Sequence, residues 1–167
     1  ECARAMGFCF FNNAAVAARY AQSAYGAERV AIVDFDVHHG NGTQDIFWND
    51  PTVMYCSTHQ MPLYPGSGAA NERGEADTIV NAPLSAGDGG AEFREAMEIA
   101  ILPRLEAFSP DLLIISAGFD GAKNDVGNQK LGCAEVRQGL DLNATDYEWL
   151  TEKIMEVARI CCNGRIV

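Results

Sequence analysis

The sequence has no CxxC pair, three histidines, no long apolar run and about half as many cations as anions. Each shortage excludes something. The six cysteines, at positions 2, 9, 56, 133, 161 and 162, match no zinc-finger spacing. Three of them, Cys9, Cys56 and Cys161, lie in apolar stretches. All six read as reduced thiols of a cytoplasmic or nuclear protein. The apolar runs are strand-sized, too short to cross a membrane, and no secretory signal opens the chain. Twelve Lys and Arg stand against 23 Asp and Glu, for a net charge of −11. Such a chain repels a phosphate backbone, which argues against direct nucleic-acid binding. It is compatible with a cationic partner such as a lysine-rich tail. No repeat and no low-complexity segment is present.

What is there suits a soluble domain. The chain has 167 residues, 48% hydrophobic and 21% charged, enough for one domain with a real core. It starts at Glu1 and stops at "GRIV", which reads as the opening of another strand. The expectation is a single unit over 1–167 that is the central part of a larger domain.

Local patterns predict alternating helices and strands. "NNAAVAARYAQSAYG" reads as a helix, capped by Asn12 or Asn13 and ended by Gly26. "RVAIVDF", "TVMYCSTH", "TIVNAPL" and "DLLIISAGF" read as strands. "GNGTQDIFW" holds a turn and a short helix. "GGAEFREAMEIAILPRLEAF" is helical, with Phe93, Met97, Ile101 and Leu105 at i, i+4 spacing and a bend at Pro103. A last helix over 145–162 opens at Thr145 or Asp146, and Cys161–Cys162 packs within it. Two long polar loops, 60–77 and 120–132, separate these elements, and loops of such length are usually functional. Apolar strands alternating with helices predict an α/β fold, a parallel sheet covered on both faces. Ligands then bind beyond the carboxyl ends of the strands.

"DFDVHHGNG", residues 34–42, leaves one such end. Asp36 and His38 are two apart, so in extended chain they face the same way. Asp120 of "SAGFDG" leaves another strand end at the same edge. One imidazole and two carboxylates make a three-ligand site with an open position, as catalytic zinc requires. Singly, an Asp after a strand is a cap and a His is hydrogen-bonded. Asp34, Asp36, His38 and His39 together are too many ionisable groups to bury without a metal or strong partners. His59 reads as structural. The Ser57/His59 pair has no third partner, which argues against a serine hydrolase. The glycines of "PGSGAANERG" match no phosphate-loop spacing.

The ordered stretches "GFCFFNNAAVAA", "VDFDVHHGNGTQ", "YPGSGAANERG", "VNAPL" and "SAGFD" resemble the zinc-dependent histone deacetylase family. Asn41 and "SAGFD" make the chain more similar to the class II and bacterial amidohydrolase-type branch. The resemblance implies an arginase-like three-layer α/β/α fold and hydrolysis of an acetyl-lysine amide. It implies zinc on Asp36, His38 and Asp120. It places Asp34 and Asn41 behind a pair of catalytic histidines. It implies a structural potassium on Asp34, Ser57 and Thr58 with the backbone of Asp36 and His38. Phe8 and Tyr64 match the aromatic pair lining the acyl-lysine channel, and Gly7 lies beside it. Asp125 is followed by Val126 where the family usually has proline, so the rim of the pocket differs.

Two departures matter. The family's tandem histidines and its transition-state tyrosine match no position of this chain. His39 is the sole nearby substitute, at a position that is not the family's base. Two further readings stand beside the deacetylase. One is a manganese ureohydrolase of the same fold, which needs acids where Asn41 and Asn49 stand. The other is an acyl-lysine binding scaffold without chemistry. Substrates that fit are acetylated proteins and small acetyl amides such as acetylpolyamines.

Overall fold

A computed structural model describes residues 3–125 and 139–167. Four parallel strands form one sheet in the order β3-β2-β1-β4: β1 (Val30–Asp34), β2 (Val53–Gln60), β3 (Ile79–Leu84) and β4 (Leu112–Ser116). β1 is central, with Asp34 in register with Ser57 of β2 and Ser116 of β4. Alternate residues feed two cores. Ala31, Val33, Met54, Cys56, Val80 and Leu113 face one side, while Val30, Ile32, Val53, Tyr55, Ile79 and Ile114 face the other. Both faces are covered, which is why the strands are apolar throughout.

α1 (Asn13–Tyr25) and α2 (Asn41–Phe47) cover the second face through Ala15, Ala18, Ala21 and Phe47. Asn12 caps α1, its side chain accepting from Ala15 N at 2.9 Å, and Gly26 ends it at φ 69°. The first face carries α3 (Gly90–Ala96), α4 (Leu102–Phe108) and α5 (Ala144–Cys162). The predicted helix over 89–108 is interrupted by a π turn, Met97–Ile101. Pro103 follows it. Its ring denies the ladder an N–H and crowds the carbonyl a turn back, and the wider turn accommodates this.

Three expectations need correction. β4 ends at Ser116, so residues 117–119 belong to the loop that brings in Asp120. α5 is capped by Asn143; Asp146 is its third residue, and Asn143 N donates to Asp146 Oδ2 at 2.9 Å. Cys9 is exposed despite its apolar neighbours, while Cys56 is buried. Residues 165–167 pair in parallel with β4, with Ile115 N donating to Val167 O at 2.7 Å. Among the described residues no helix is long and apolar enough to cross a membrane. Of the predicted loop 120–132, the part from Val126 onward lies outside the described residues, as do Cys2 and Cys133.

Candidate metal centre

Beyond β1 the chain bends at residues 36–38, and burial alternates along it. Phe35, Val37 and His39 are buried, while Asp36 and His38 are half open. Asp36 and His38 share the open side as their i, i+2 spacing predicted, although the backbone bends there rather than running extended. Asp120 comes from the loop after β4. Its Oδ1 accepts from Val37 N at 3.0 Å, and its Oδ2 lies 3.0 Å from His38 Nδ1. Asp36 Oδ1 accepts from His38 N at 2.7 Å and lies 3.0 Å from the same Nδ1. One ligand atom from each of the three residues lies within 4.8 Å of the others.

The two carboxylates set the electrostatics around His38. Hydrogen bonds to Asp120 and then Asp36 push the His38 imidazole up to about 10, against the effect of burial. Burial pushes the Asp120 carboxyl up, but the His38 ring and the Val37 N–H outweigh it and hold the group below its ordinary value. His38 Nδ1 lies 3.0 Å from an oxygen of each carboxylate. Two oxygen donors and one imidazole nitrogen, with 27–42% of each side chain exposed, fit a zinc bound by three protein ligands with room for another.

Gly118, unremarked in the sequence, holds one side of this cluster. A Cβ there would lie 2.6 Å from Asp36 Cβ and 2.7 Å from its Cα. Glycine alone lets the loop run against the carboxylate.

The remaining expected site residues divide. Asp34 is 5% exposed, and burial drives its carboxyl up to about 7. Its Oδ1 accepts from Asp36 N at 3.2 Å and its Oδ2 from the Tyr55 hydroxyl at 3.2 Å. Among the described residues no histidine touches it. Asn41 begins α2 and donates from Nδ2 to Met6 Sδ at 3.4 Å. Ser57 lies beside Asp34 on β2, and Thr58 Oγ1 is buried without a partner. Tyr64 stands at the cluster, its ring centroid 6.5 Å from that of His38 at 70°. Gly7 and Phe8 both have positive φ, 58° and 62°. Phe8 is fully exposed, and among the described residues no ring contact joins it to Tyr64 or His38.

The other two histidines are closed off. His39 has Ser67 Oγ at 2.8 Å from Nδ1 and Gln44 Oε1 at 3.0 Å from Nε2. His59 has Ser57 Oγ at 2.9 Å from Nδ1 and the Gly68 carbonyl at 2.9 Å from Nε2. Burial lowers both imidazoles, that of His59 to about 4. Neither can act as a base at the cluster. Gln44, Glu72 and Asn81, which complete this buried network, were not singled out by the sequence. The available signal was polar residues inside apolar stretches: His59 in β2 and Asn81 in β3.

Comparison with known proteins points one way. The profile of the histone deacetylase domain matches residues 1–167. The chain is 51% identical over 170 residues to Histone deacetylase 15 of Arabidopsis thaliana, covering 98% of this chain and 28% of that protein. It is 42% identical over 165 residues to "Histone deacetylase 10, chloroplastic" of Oryza sativa subsp. japonica, covering 97% and 35%. The crystal structure of the HDA15 HD domain superposes with a TM-score of 0.83 at 44% identity, covering 98% of this chain and 44% of that one. The chain thus spans less than half the length of these relatives.

Proposed function

The chain belongs to the histone deacetylase family and has its three-layer α/β/α fold, and from that premise we propose that it carries the zinc-holding part of an amide hydrolase acting on acetyl-lysine. The observation that supports this most is the convergence of Asp36, His38 and Asp120 within 4.8 Å at the carboxyl edge of the sheet. Zinc there would polarise the acetyl carbonyl and acidify water toward neutrality. The residues of this chain do the rest of the local work. Asp36 and Asp120 supply negative charge, and His38 Nδ1 lies between them. Asp34 holds the backbone N–H of Asp36. Tyr64 offers an aromatic wall for the acyl-lysine stem, with Gly7 and Phe8 as the facing side of that channel. Asp34, Ser57 and Thr58, with the backbone of Asp36 and His38, are proposed to hold potassium.

Neither His39 nor His59 is free to move a proton at the cluster. His39 and His59 are engaged at both nitrogens. Losing a general base costs roughly 10²–10⁴ in rate and losing an oxyanion donor roughly 10²–10³. The isolated chain is therefore expected to bind metal and to turn over poorly. The substrate class proposed is a lysine-rich acetylated protein, for which the net charge of −11 is complementary, or a small acetyl amide. A cytoplasmic or nuclear setting is proposed from the reduced thiols.

The test is elemental analysis of the purified chain beside Asp36→Ala. About one zinc per chain, absent from the variant, is expected. Two manganese ions per chain would instead favour the ureohydrolase. A folded chain without metal would favour the scaffold.

A further inference from the structure

Glu72 lies in the loop that also carries Tyr64, and three N–H donors converge on it. Its carboxylate accepts from Gly68 N at 3.0 Å, Ala69 N at 3.2 Å and Gln44 Nε2 at 2.6 Å. Among the described residues no cation pairs with it. The site is built for an acceptor rather than for an ion pair.

That carboxylate sets a direction for every hydrogen bond beyond it. Gln44 must turn its amide nitrogen to Glu72, so its oxygen faces Asn81 Nδ2 at 2.7 Å and His39 Nε2 at 3.0 Å. His39 Nε2 therefore holds the proton, and Nδ1 accepts from the Ser67 hydroxyl at 2.8 Å. The parallel arrangement holds at His59. Its Nε2 donates to the Gly68 carbonyl and its Nδ1 accepts from Ser57 Oγ, both at 2.9 Å. The two rings lie 4.7 Å apart, and Gly68, at φ 95°, packs on both with no room for a Cβ. The loop is fastened at Ser67 and Gly68, just after Tyr64. One anchor is His39, the residue after His38.

We propose that Glu72 is a positioning residue: through Gln44, His39 and the Ser67–Gly68 segment it sets where Tyr64 stands against His38. The proposal rests on reading the Asp36–His38–Asp120 cluster as the substrate-facing site. Metal binding itself should be nearly indifferent to Glu72, because Asp36 and Asp120 are held by Gly118, Val37 N and His38. A glutamine at 72 would offer one acceptor and one NH₂ to a ring of donors, and the loop would release.

The test is solution NMR of the full chain, following the nuclear Overhauser contact between the Tyr64 and His38 rings. Glu72→Gln is expected to lose the contact. Its cobalt stoichiometry and visible spectrum should stay as in the wild type, with affinity shifted by less than the roughly 10–100-fold typical of a lost outer partner of a metal ligand. The double variant Gln44→Glu with Glu72→Gln exchanges donor and acceptor and should restore part of the contact. Ser67→Ala cuts one link and keeps Glu72, so it covers the case where Glu72→Gln fails to fold; it too should weaken the contact. A contact that survives in Glu72→Gln or Ser67→Ala, or is missing in the wild type, overturns the proposal. A wild-type chain that takes no cobalt sinks the metal reading instead, while the ring contact still decides the role of Glu72.

Discussion

His38 and His39 are adjacent in sequence and have opposite surroundings. His38 is half open between two carboxylates, and they raise its imidazole to about 10. His39 is 4% exposed among neutral partners, and burial lowers it. The cause is the alternation of burial along residues 35–39, which leave a buried strand end through a series of bends. One residue turns to the open edge and meets acids; the next turns inward and meets a serine and a glutamine. The open side has surplus negative charge and room for a ligand. On the closed side both nitrogens of His39 and of His59 have partners. The first is suited to chemistry and the second to holding shape.

This contrast can be broken from either side. The largest effect is expected at the open cluster. Structural zinc sites bind with about 10–16 kcal/mol over four ligands, so one ligand is worth roughly 2.5–4 kcal/mol, on the order of a hundredfold to a thousandfold. Asp120→Ala should weaken zinc by about that much in a chelator competition, with little change in the circular dichroism spectrum.

On the closed side, Gly68→Ala drives a methyl group into the His59 and His39 rings at a positive φ. A loss of about 2–3 kcal/mol is expected, read from the urea midpoint. Zinc affinity measured on the folded fraction should hardly move. If zinc falls in step with stability, the two regions are not separable.

The closed side should also fail in acid. His59 is neutral in the fold, at about 4, against 6.5 when free. Between those values the unfolded chain binds more protons, so stability falls as pH drops from 6.5 toward 4. The loss from His59 is about 2 kcal/mol between pH 7 and pH 5. Asp34, raised to about 7, has the opposite sign and is common to wild type and variant. The groups facing His59 are Ser57, Gly68, His39 and Glu72. Urea titrations at several pH values should show wild type losing about that much stability relative to His59→Gln between pH 7 and pH 5. An equal loss in both would place the acid sensitivity elsewhere.

The smallest effect sharpens the open side. A methyl group at Gly118 would meet the Cα as well as the side chain of Asp36, so Asp36 or the loop must shift. Gly118→Ala should weaken zinc about tenfold and shift the cobalt spectrum. An unchanged spectrum would show that the loop yields instead.

Much of this was legible in sequence because it depends on short range. The strands are apolar on both faces, which announced a covered parallel sheet. Asp36 and His38 are two apart, which announced a shared direction. Asn12 and Gly26 mark the ends of α1 by their own backbone chemistry. The cap of α5 was missed because Asn143 and Asp146 act as a reciprocal pair, which residue preferences taken singly do not show. The π turn was missed because it answers to Pro103 and to packing together.

The sequence by itself determined the order of elements, the edge at which chemistry collects and the candidate ligands, since these follow from periodicity and residue type. Tertiary structure decided the rest. It brought Asp120 to His38 from 82 residues away, and it placed Gly118 where a side chain cannot go. It also linked Glu72 to His39 through Gln44. Such contacts join distant parts of the chain. They depend on how strands stack and loops close, which no local pattern encodes.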